Sequence, residues 1–524
     1  MCSQYCHLIL SCSQIGFAMF VAGVVRAKNI ASILLKSIID SLISAIGYYL
    51  VGYAFTMGNG NPNGGFIGDT DFALSNSAVT PYDNSLFLWY WVFCAASTTI
   101  LVGSLAERCT FVAYVVFVLV YVCWIYPVYA HWTWSPNGWL TADNPISGLL
   151  GMGAIDFAGS GVVHTMGGFC AMVGSLILGP RVGRYAPATR HMFVNGHNPQ
   201  LYLLGTLLLW LGWYSFNAIS LLNISSVLAA TTVARTTNTT TLAAASAGLT
   251  ALLLVYYHTK TWNMLSVCNG VLGGLVAITA GCSVVEPWAA IICGVIAAPC
   301  VVYGEVLQEW LQIDDPAGAF AIHGLSGIWG VMFVGLLAKE QYIIDVYHKP
   351  PGRYHMGIFY GGHGQLLLCQ FISVVVCITW ACFWSYLVFT MLNWMGCLRV
   401  PLEVEAVGLD ASEMGAQHGA GLSSLTDAKF EEPVKKSKDV SAYTRSSPML
   451  FGSNYGRQSQ PQNSVMKAMA PPASKAPSIS GTTASATAGL ATVSTGSRAI
   501  SEQMMPPVTS GEMVSKLEHG KVSA

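Results

Sequence analysis

Long apolar runs are the feature that most limits what this chain can fold into. A helix that crosses a lipid bilayer needs about 20 mostly apolar residues, and about eleven such runs follow one another along the sequence. Because backbone groups inside a bilayer have no water to bind, each run is predicted to be a helix. The predicted spans are residues 7–25, 30–55, 86–105, 111–130, 149–178, 201–222, 226–257, 264–282, 288–310, 320–338 and 366–392.

The scarcity of charge points to the same fold class. Charged residues make up 9% of the 524 residues, whereas a soluble globular protein carries about 25%. The chain is therefore predicted to be an all-α membrane protein with eleven transmembrane helices. Its net charge of −1 gives no electrostatic basis for a nucleic-acid partner. Most of the 15 cysteines sit singly in apolar runs and none has zinc-ligand spacing, so neither a metal nor a cofactor is predicted.

Positive charges in the loops predict the orientation of the spans, because Lys and Arg concentrate on the cytoplasmic side of membrane proteins. The long loops 56–85 and 131–148 contain neither residue, and only the loop 339–365 departs from this alternation. The N-terminus is therefore expected outside and the C-terminus inside, which requires an odd number of spans. The predicted inner loops hold Arg26, Lys28, Arg108, Arg181, Arg184, Arg190, Lys260 and Arg399.

The composition of the chain changes at Leu398. Residues 1–397 are predicted to form the membrane domain, and residues 398–420 a cytoplasmic segment. Residues 421–524 are rich in Ser, Thr, Pro, Gly and Ala and lack a long apolar face. They are predicted to be a disordered cytoplasmic tail.

One short pattern occurs twice, in the fifth and the tenth predicted spans. Residues 156–164 read DFAGSGVVH and residues 315–323 read DPAGAFAIH, so each stretch has an Asp, then a Gly, then a His at matched spacing. Repeats of five spans must have opposite topology because five is odd. The pattern therefore predicts a five-plus-five inverted repeat, an architecture that places a transport path between the two repeats.

The spacing from Asp to His predicts where the histidines lie. If the eight residues are helical and start at the membrane surface, they rise about 12 Å, which is near the middle of a hydrocarbon core about 30 Å thick. An ionisable residue at that depth is costly and marks a substrate or proton path, although one His alone could serve only as an interhelical hydrogen-bond partner. Two at matched depth favour a functional pair, His164 and His323.

Other residues of this region are open to two explanations. Asp315 is followed by Pro316, which is typical of a capped helix start, whereas for Asp156 capping and holding a nearby cation are equally open. Aromatic residues near predicted span ends commonly form an interfacial belt or pack against lipid. Their functional explanation is a cation–π site for a small cation. The aromatic residues concerned are Phe93, Trp134 and Phe216.

Several long motifs, in a fixed order, carry a resemblance to a known family. They are GFAMFVAGVVRAKN (16–29), GSLAER (103–108), AIDFAGSGVVHTMGG (154–168), GWYSFNAIS (212–220), VCNGVLGG (267–274) and the stretch 314–330. Over roughly residues 12–420 the chain resembles ammonium transporters of the Amt/Mep/Rh superfamily, and within it the plant-type Amt branch.

The resemblance implies a homotrimer of eleven-helix subunits in the plasma membrane, with one pore in each subunit. His164 and His323 would be the twin histidines that line the pore and relay protons. The resemblance also implies substrate-binding residues. Trp134 and Ser220 would form an outer recruitment site, with Asp156 below it. Phe93 and Phe216 would form a stacked gate, and Trp89 would stand in the vestibule.

Three positions qualify the resemblance. Ser215 and Ile219 stand where the family usually has Gly, and the bulk of Ile219 is expected to reshape the recruitment site. The stretch GLDASEMG (408–415) resembles the family's regulatory C-terminal segment. Ser412 falls where plant relatives carry a phosphorylatable threonine, which implies a regulatory role and a kinase or regulatory protein as a partner of the tail.

The predicted function is transport of ammonium, with methylammonium as an analogue, by a membrane protein that is not an enzyme. Ammonium and potassium are similar in size and charge, but only ammonium can lose a proton. We therefore expect the outer site to recruit the cation, which is deprotonated so that ammonia passes the histidines while they relay the proton.

Three rival functions remain at the level of sequence. One is a passive ammonia channel of the Rh type, and another is an ammonium sensor that signals through the tail. The third is an intramembrane enzyme with Asp156 and His164 as an acid–base pair, but no nucleophile or metal triad of convincing spacing supports it.

Overall fold

Apolar helices make up most of the computed structural model, which describes residues 2–59, 65–75, 81–144, 148–193, 196–222, 225–348 and 355–414. In these ranges nine helices are long and apolar enough to cross a membrane, and two shorter apolar helices accompany them. In chain order the helices are α1 (Cys2–Val24), α2 (Ala27–Met57), α3 (Pro81–Ser104), α4 (Phe111–Trp134), α5 (Ser160–Leu178), α6 (Pro199–Ile219), α7 (Val227–Thr259), α8 (Met264–Ile278), α9 (Pro287–Trp310), α10 (Phe320–Leu337) and α11 (Gln365–Trp394).

The all-helical membrane fold is thus confirmed for the described residues, while the number of spans and their orientation stay predictions. Three short helices, Glu340–Tyr347, Leu402–Val407 and Leu409–Ser412, complete the fold. The tail predicted to be disordered, residues 421–524, lies outside the described residues.

The starts of α5 and α10 differ from the sequence prediction. The run 149–178 was expected to be one helix, but residues 156–159 are not helical and α5 begins at Ser160. Residues 313–318 are likewise non-helical, so Pro316 lies in a turn and not at the first helical position. Both helices therefore begin after their Asp. The predicted depth of the histidines assumed eight helical residues from Asp to His, and that assumption was wrong.

One side of the polar first half of α7 packs against the rest of the protein, with Thr232, Thr236, Thr239 and Thr240 buried. The guanidinium of Arg235 donates to the carbonyl of Ser283 at 2.9–3.0 Å and lies 3.6 Å from the ring centroid of Tyr342. Its charge is therefore partnered by a carbonyl and an aromatic face. At 33 residues, α7 would be about 50 Å long, so it has to tilt or extend beyond the hydrocarbon core.

Small residues let α1 and α6 approach each other closely. A Cβ added to Gly205 of α6 would lie 2.3 Å from the backbone nitrogen of Phe20 on α1. Lipid tails give no hydrophobic force between helices, so close packing of this kind is what holds them together. The contact fixes α6, which carries Phe216, against α1.

A charged cluster connects the ends of four elements. Glu107, Arg181 and Asp314 are buried in it, and Arg26 is partly buried. Arg181 bonds to Glu107 at 2.5 Å and to Asp314 at 2.8 Å, and Arg26 pairs with Glu107. Burial alone would raise the pKa of Glu107, but Arg26 and Arg181 lower it to about 2. The neighbouring arginines likewise hold the pKa of Asp314 below its ordinary value against the effect of burial.

The segment after α11 docks on this same end of the bundle. Arg399 donates to the carbonyls of Leu178 and Pro180, and it pairs with Glu405 at 2.8 Å. The Asp410 carboxylate accepts the backbone N–H groups of Ala31 and Ser32 at 2.9 and 2.8 Å. The segment therefore contacts the loop after α5 and the N-terminal part of α2.

Candidate functional site

The start of α5 is built by the first copy of the repeated motif. The Asp156 carboxylate accepts backbone N–H groups of Gly159, Gly161 and Val162 at 2.9–3.1 Å, so it satisfies donors that the first turn of a helix leaves free. Gly159 has φ = 99°, a conformation that side chains other than glycine's rarely adopt. The side chain of Asp156 therefore caps the helix, and its backbone carbonyl accepts the Trp134 indole N–H at 2.7 Å.

The second copy repeats this construction at α10. The Asp315 carboxylate accepts the backbone N–H of Phe320 at 2.9 Å and the side-chain amide of Gln308 at 3.1 Å. Gly318 also has a positive φ, 66°. The two motifs share their spacing because each contains an Asp that caps the helix, a glycine in the left-handed conformation and then the first helical turn.

The two helices cross in opposite directions near their first turns. A Cβ on Gly168 would lie 2.3 Å from the nitrogen of Gly324, and one on Gly327 would lie 2.5 Å from the hydroxyl oxygen of Thr165. Residue numbers rise along α10 while those of its contacts on α5 fall, as in an antiparallel pair. Since each helix begins with a π-helical turn that holds the histidine, this crossing brings His164 and His323 together.

The two imidazoles form a buried hydrogen-bonded pair. Nδ1 of His164 lies 3.1 Å from Nδ1 of His323, and the rings are nearly parallel with centroids 5.2 Å apart. One Nδ1 must carry a hydrogen and the other must accept it, so the two rings are opposite tautomers. Nε2 of His164 is buried and has no hydrogen-bond partner among the residues that the structure describes. The pair therefore presents an unpartnered ring nitrogen among the described residues, beside the aromatic rings of Trp213 and Phe216.

Two stacked phenylalanines lie between this pair and a cavity at the Trp134 ring. The rings of Phe93 and Phe216 are 3.9 Å apart between centroids and stack at 25°. Phe216 lies 5.8 Å from the ring of His164, and Phe93 is 0% exposed. In the described structure the stacked rings therefore close the direct route to the histidines.

A cavity of about 200 Å³ lies on the other side of these rings. Its lining includes the predicted residues Trp89, Trp134, Asp156 and Ser220. The Trp134 ring lies 5.5 Å from Phe93 and 5.4 Å from Trp89. Aromatic faces at one end and polar atoms around the wall are the surroundings that suit a small cation.

The remaining predicted residues lie at helix ends. The Ser220 hydroxyl donates to the carbonyl of Phe216 at 2.9 Å, at the end of α6. Ile219 beside it is partly buried against the core. Ser412 lies apart from the pocket, in the segment after α11, where its exposed side chain donates to the carbonyl of Gly408 at 2.7 Å.

Three residues of the passage were missed by the sequence predictions. The indole of Trp213 stacks on His164 with centroids 5.2 Å apart and donates to Thr279. Phe17 lies 6.0 Å from the ring of His323, and Tyr347 lines the same cavity as Trp134 and Ser220. Phe17 and Trp213 lie inside motifs that carried the family resemblance, which was a usable signal, whereas no motif included Tyr347.

Comparison with known proteins gives a consistent result. The model of the Ammonium Transporter Family matches residues 3–418. "Putative ammonium transporter 1 member 5" of Arabidopsis thaliana is 44% identical over 401 residues, which cover 75% of this chain and 80% of that protein. "Ammonium transporter 1 member 3" of Solanum lycopersicum is 42% identical over 428 residues, which cover 80% of this chain and 92% of that protein.

Solved structures are similar over the same region. A "Sensor Amt Protein" superposes with a TM-score of 0.68 at 32% identity, covering 78% of this chain and 96% of the other. The crystal structure of Candida albicans Mep2 superposes with a TM-score of 0.67 at 26% identity, covering 76% of this chain and 85% of that one.

Proposed function

Because the chain belongs to the ammonium transporter family, we propose that it carries ammonium across the membrane by separating it into ammonia and a proton. The single observation that carries the proposal is the buried contact between Nδ1 of His164 and Nδ1 of His323, 3.1 Å apart beneath a polar outer cavity. The proposal includes the predicted orientation, the five-plus-five inverted repeat, a plasma-membrane location and a homotrimer.

Recruitment is the first step. The cation binds in the cavity against the Trp134 ring and the Ser220 hydroxyl, where a partly desolvated cation–π contact is worth about 0.5–2 kcal/mol. Asp156 acts there indirectly, because its carboxylate is occupied by three backbone N–H groups. Its negative charge still favours a cation in the cavity, and its carbonyl orients the Trp134 indole.

Deprotonation lowers the barrier to crossing. A charged group at the centre of a bilayer costs at least about 2.5 kcal/mol on insertion scales, whereas ammonia carries no charge. Ammonia passes when Phe93 and Phe216 move aside, and it then donates to or accepts from the imidazoles. The proton that ammonium loses binds Nε2 of His164, and the Nδ1 hydrogen of that ring moves to Nδ1 of His323. The Nε2 hydrogen of His323 then leaves, so that ammonia and a proton both cross.

The test is removal of each imidazole in turn. His164→Ala and His323→Ala should lower methylammonium uptake into proteoliposomes at least about tenfold, the effect of about 1.4 kcal/mol on a barrier. The matched control is His258→Ala, which removes an imidazole at the end of α7 and should leave uptake unchanged. Parental rate and selectivity in both pore variants would refute the role of the pair.

The rival channel is separated by electrical recording. An inward current on addition of ammonium supports net charge transport, whereas a pH change without current supports a passive ammonia channel of the Rh type.

One observation favours a sensor as the second candidate function: a structure similar at 32% identity is named a sensor protein. In this chain the residues after 420 would transmit the signal. Deleting them and measuring flux and signalling separately tests the idea, because a sensor should lose the signal while its flux persists.

A further inference from the structure

One face of α2 carries a buried polar side chain at every fourth residue. The positions are Ser32, Lys36, Asp40, Ser44 and Tyr48, and all are buried. Residues four apart lie above one another on a helix, so they form a continuous polar stripe inside an otherwise apolar span. Ionisable residues within spans are rare and costly, and no step proposed above uses Asp40.

Asp40 is held by hydroxyl groups alone. One carboxylate oxygen accepts from Thr98 and Thr99 of α3 at 2.7 and 2.8 Å, and the other accepts from the Tyr114 phenol of α4 at 2.8 Å. Its exposure is 0%. Among the residues that the structure describes, no arginine, lysine or histidine nitrogen forms an ion pair with it.

The neighbouring titratable groups do not supply a compensating charge. Lys36 is one turn away on α2, but its amine turns toward the carbonyl of Cys109, 2.7 Å away. The Tyr114 phenol on α4 donates to Asp40, and the Cys94 thiol on α3 lies fully buried near it; phenols and thiols are uncharged at neutral pH at their ordinary pKa values. From α1 the nearby group is the amide of Gln14, which reaches Thr99 at 2.8 Å and does not titrate.

The depth of Asp40 makes its charge expensive. The α-helical part of α2 begins at Ile30, and the ten residues to Asp40 rise about 15 Å, half of a hydrocarbon core about 30 Å thick. A lone carboxylate at that depth costs at least about 2.5 kcal/mol on insertion scales. The hydroxyl donors offset part of that cost. The ionised and the protonated forms of Asp40 are therefore expected to be similar in free energy.

The hydrogen bonds fit both protonation states without movement of heavier atoms. The hydroxyls of Thr98 and Thr99 also lie 2.9 and 2.7 Å from the carbonyl oxygen of Ala95. When Asp40 is ionised, both hydroxyls point to it. When it is protonated, it donates to one threonine, whose hydroxyl turns to Ala95. The oxygens of Asp40 and the two threonines are 2.7–2.8 Å apart, which is the distance of a hydrogen bond between two oxygens. A metal ion between them would lie about 2.0–2.6 Å from each oxygen and would hold the oxygens farther apart. The site therefore fits a proton and not a metal ion.

We propose that Asp40 is a second proton-binding site of the membrane domain, separate from the histidine pair, and that its occupancy tunes transport through α3. Ser97 precedes Thr98, and its hydroxyl donates to the carbonyl of Val163, the residue before His164, at 2.8 Å. Phe93 of the stacked pair lies one turn away on the same helix. A change of charge at Asp40 is therefore transmitted to both parts of the passage.

The proton site is tested by infrared difference spectroscopy on the full chain in detergent, and this test does not depend on transport. We expect a protonated-carboxyl band that follows a one-proton titration, in which the ratio of the two states changes about tenfold per pH unit. Asp40→Asn, which keeps the shape of the side chain, should lack this band. The control Glu403→Gln removes an exposed carboxyl and should keep it. Identical spectra from the parent and Asp40→Asn would overturn the proposal.

A second variant keeps the carboxyl and removes one donor. Tyr114→Phe should move the titration midpoint of the band to higher pH, because the ionised form loses a hydrogen bond. An unmoved midpoint would contradict the geometry. Methylammonium uptake measured against pH tests the link to the pore: Asp40→Asn should flatten the profile, and a profile of parental shape would refute the tuning of transport.

Discussion

The crossing of α5 and α10 predicts that one methyl group at Gly168 will damage transport. A Cβ at this position would lie 2.3 Å from the nitrogen and 2.6 Å from the Cα of Gly324. Non-bonded carbon atoms pack at about 3.5–4.0 Å, and backbone atoms cannot rotate away. The helices must therefore separate by about 1 Å, since 2.6 Å has to become a normal contact.

This displacement has a calculable effect on the histidine pair. The Nδ1–Nδ1 distance between His164 and His323 is 3.1 Å, and a further 1 Å or so takes it beyond the hydrogen-bond range of about 3.2 Å. A misplacement of about 1 Å can cost about 100-fold in rate, while overpacking costs about 1–3 kcal/mol of stability. We expect Gly168→Ala to reach the membrane, to melt at a lower temperature and to lose most of its uptake.

The assay is methylammonium uptake by proteoliposomes with matched amounts of protein, combined with thermal unfolding in detergent. Gly281→Ala is the matched control, because the nearest atoms to its added methyl are side-chain methyl groups of Val334 and Val285 at 3.1 and 3.3 Å, which can shift. Parental uptake by Gly168→Ala would refute the reasoning. Equal losses in both variants would show a general intolerance of added methyl groups instead.

Three further perturbations test other parts of the structure. Asp156→Asn should lower both the melting temperature and uptake, because an amide replaces one of the oxygens that accept three backbone N–H groups; parental values of both would contradict the cap. Glu107→Gln should cost about 3–5 kcal/mol, since it breaks a buried ion pair. The pKa of Glu107 is lowered to about 2, so its stabilisation is full above the ordinary value of about 4.3 and is lost as pH falls toward 2. Melting curves against pH should show a larger loss in acid for the parent than for the variant, in which Asp314 still titrates, and losses of equal size would contradict it. Ser412→Asp should lower flux if the C-terminal segment couples subunits, with Ser412→Ala as the control, and equal flux in both would remove that idea.

Much of the fold could be predicted because lipid leaves the backbone few choices. Runs of apolar residues had to be helical, and the predicted run 366–392 differs from the observed α11 (Gln365–Trp394) by no more than two residues at either end. The prediction failed where a helix was assumed to start at Asp156. There the carboxylate and a left-handed glycine hold a short non-helical segment, and hydropathy does not distinguish such a segment from a helix.

The sequence predicted which residues belong to the candidate site better than it predicted which of them touch. The family resemblance supplied Phe93, Phe216 and both histidines, but neither the resemblance nor periodicity indicated that Trp213 stacks on one imidazole. The polar stripe on α2 was visible at a spacing of four residues, yet an isolated helix does not reveal which neighbours Asp40 will meet. Its donors are about 60 and 74 residues away along the chain.

The sequence by itself determined that this chain is a bundle of membrane helices, because apolar runs with few charges leave no other way to satisfy backbone hydrogen bonds in lipid. It also determined which two segments repeat an Asp, a Gly and a His at matched spacing. Only the tertiary structure decided that those histidines lie 3.1 Å apart. Close contact between Gly168 and Gly324, 156 residues apart in the chain, sets that distance, and packing between distant helices is not encoded in any local pattern.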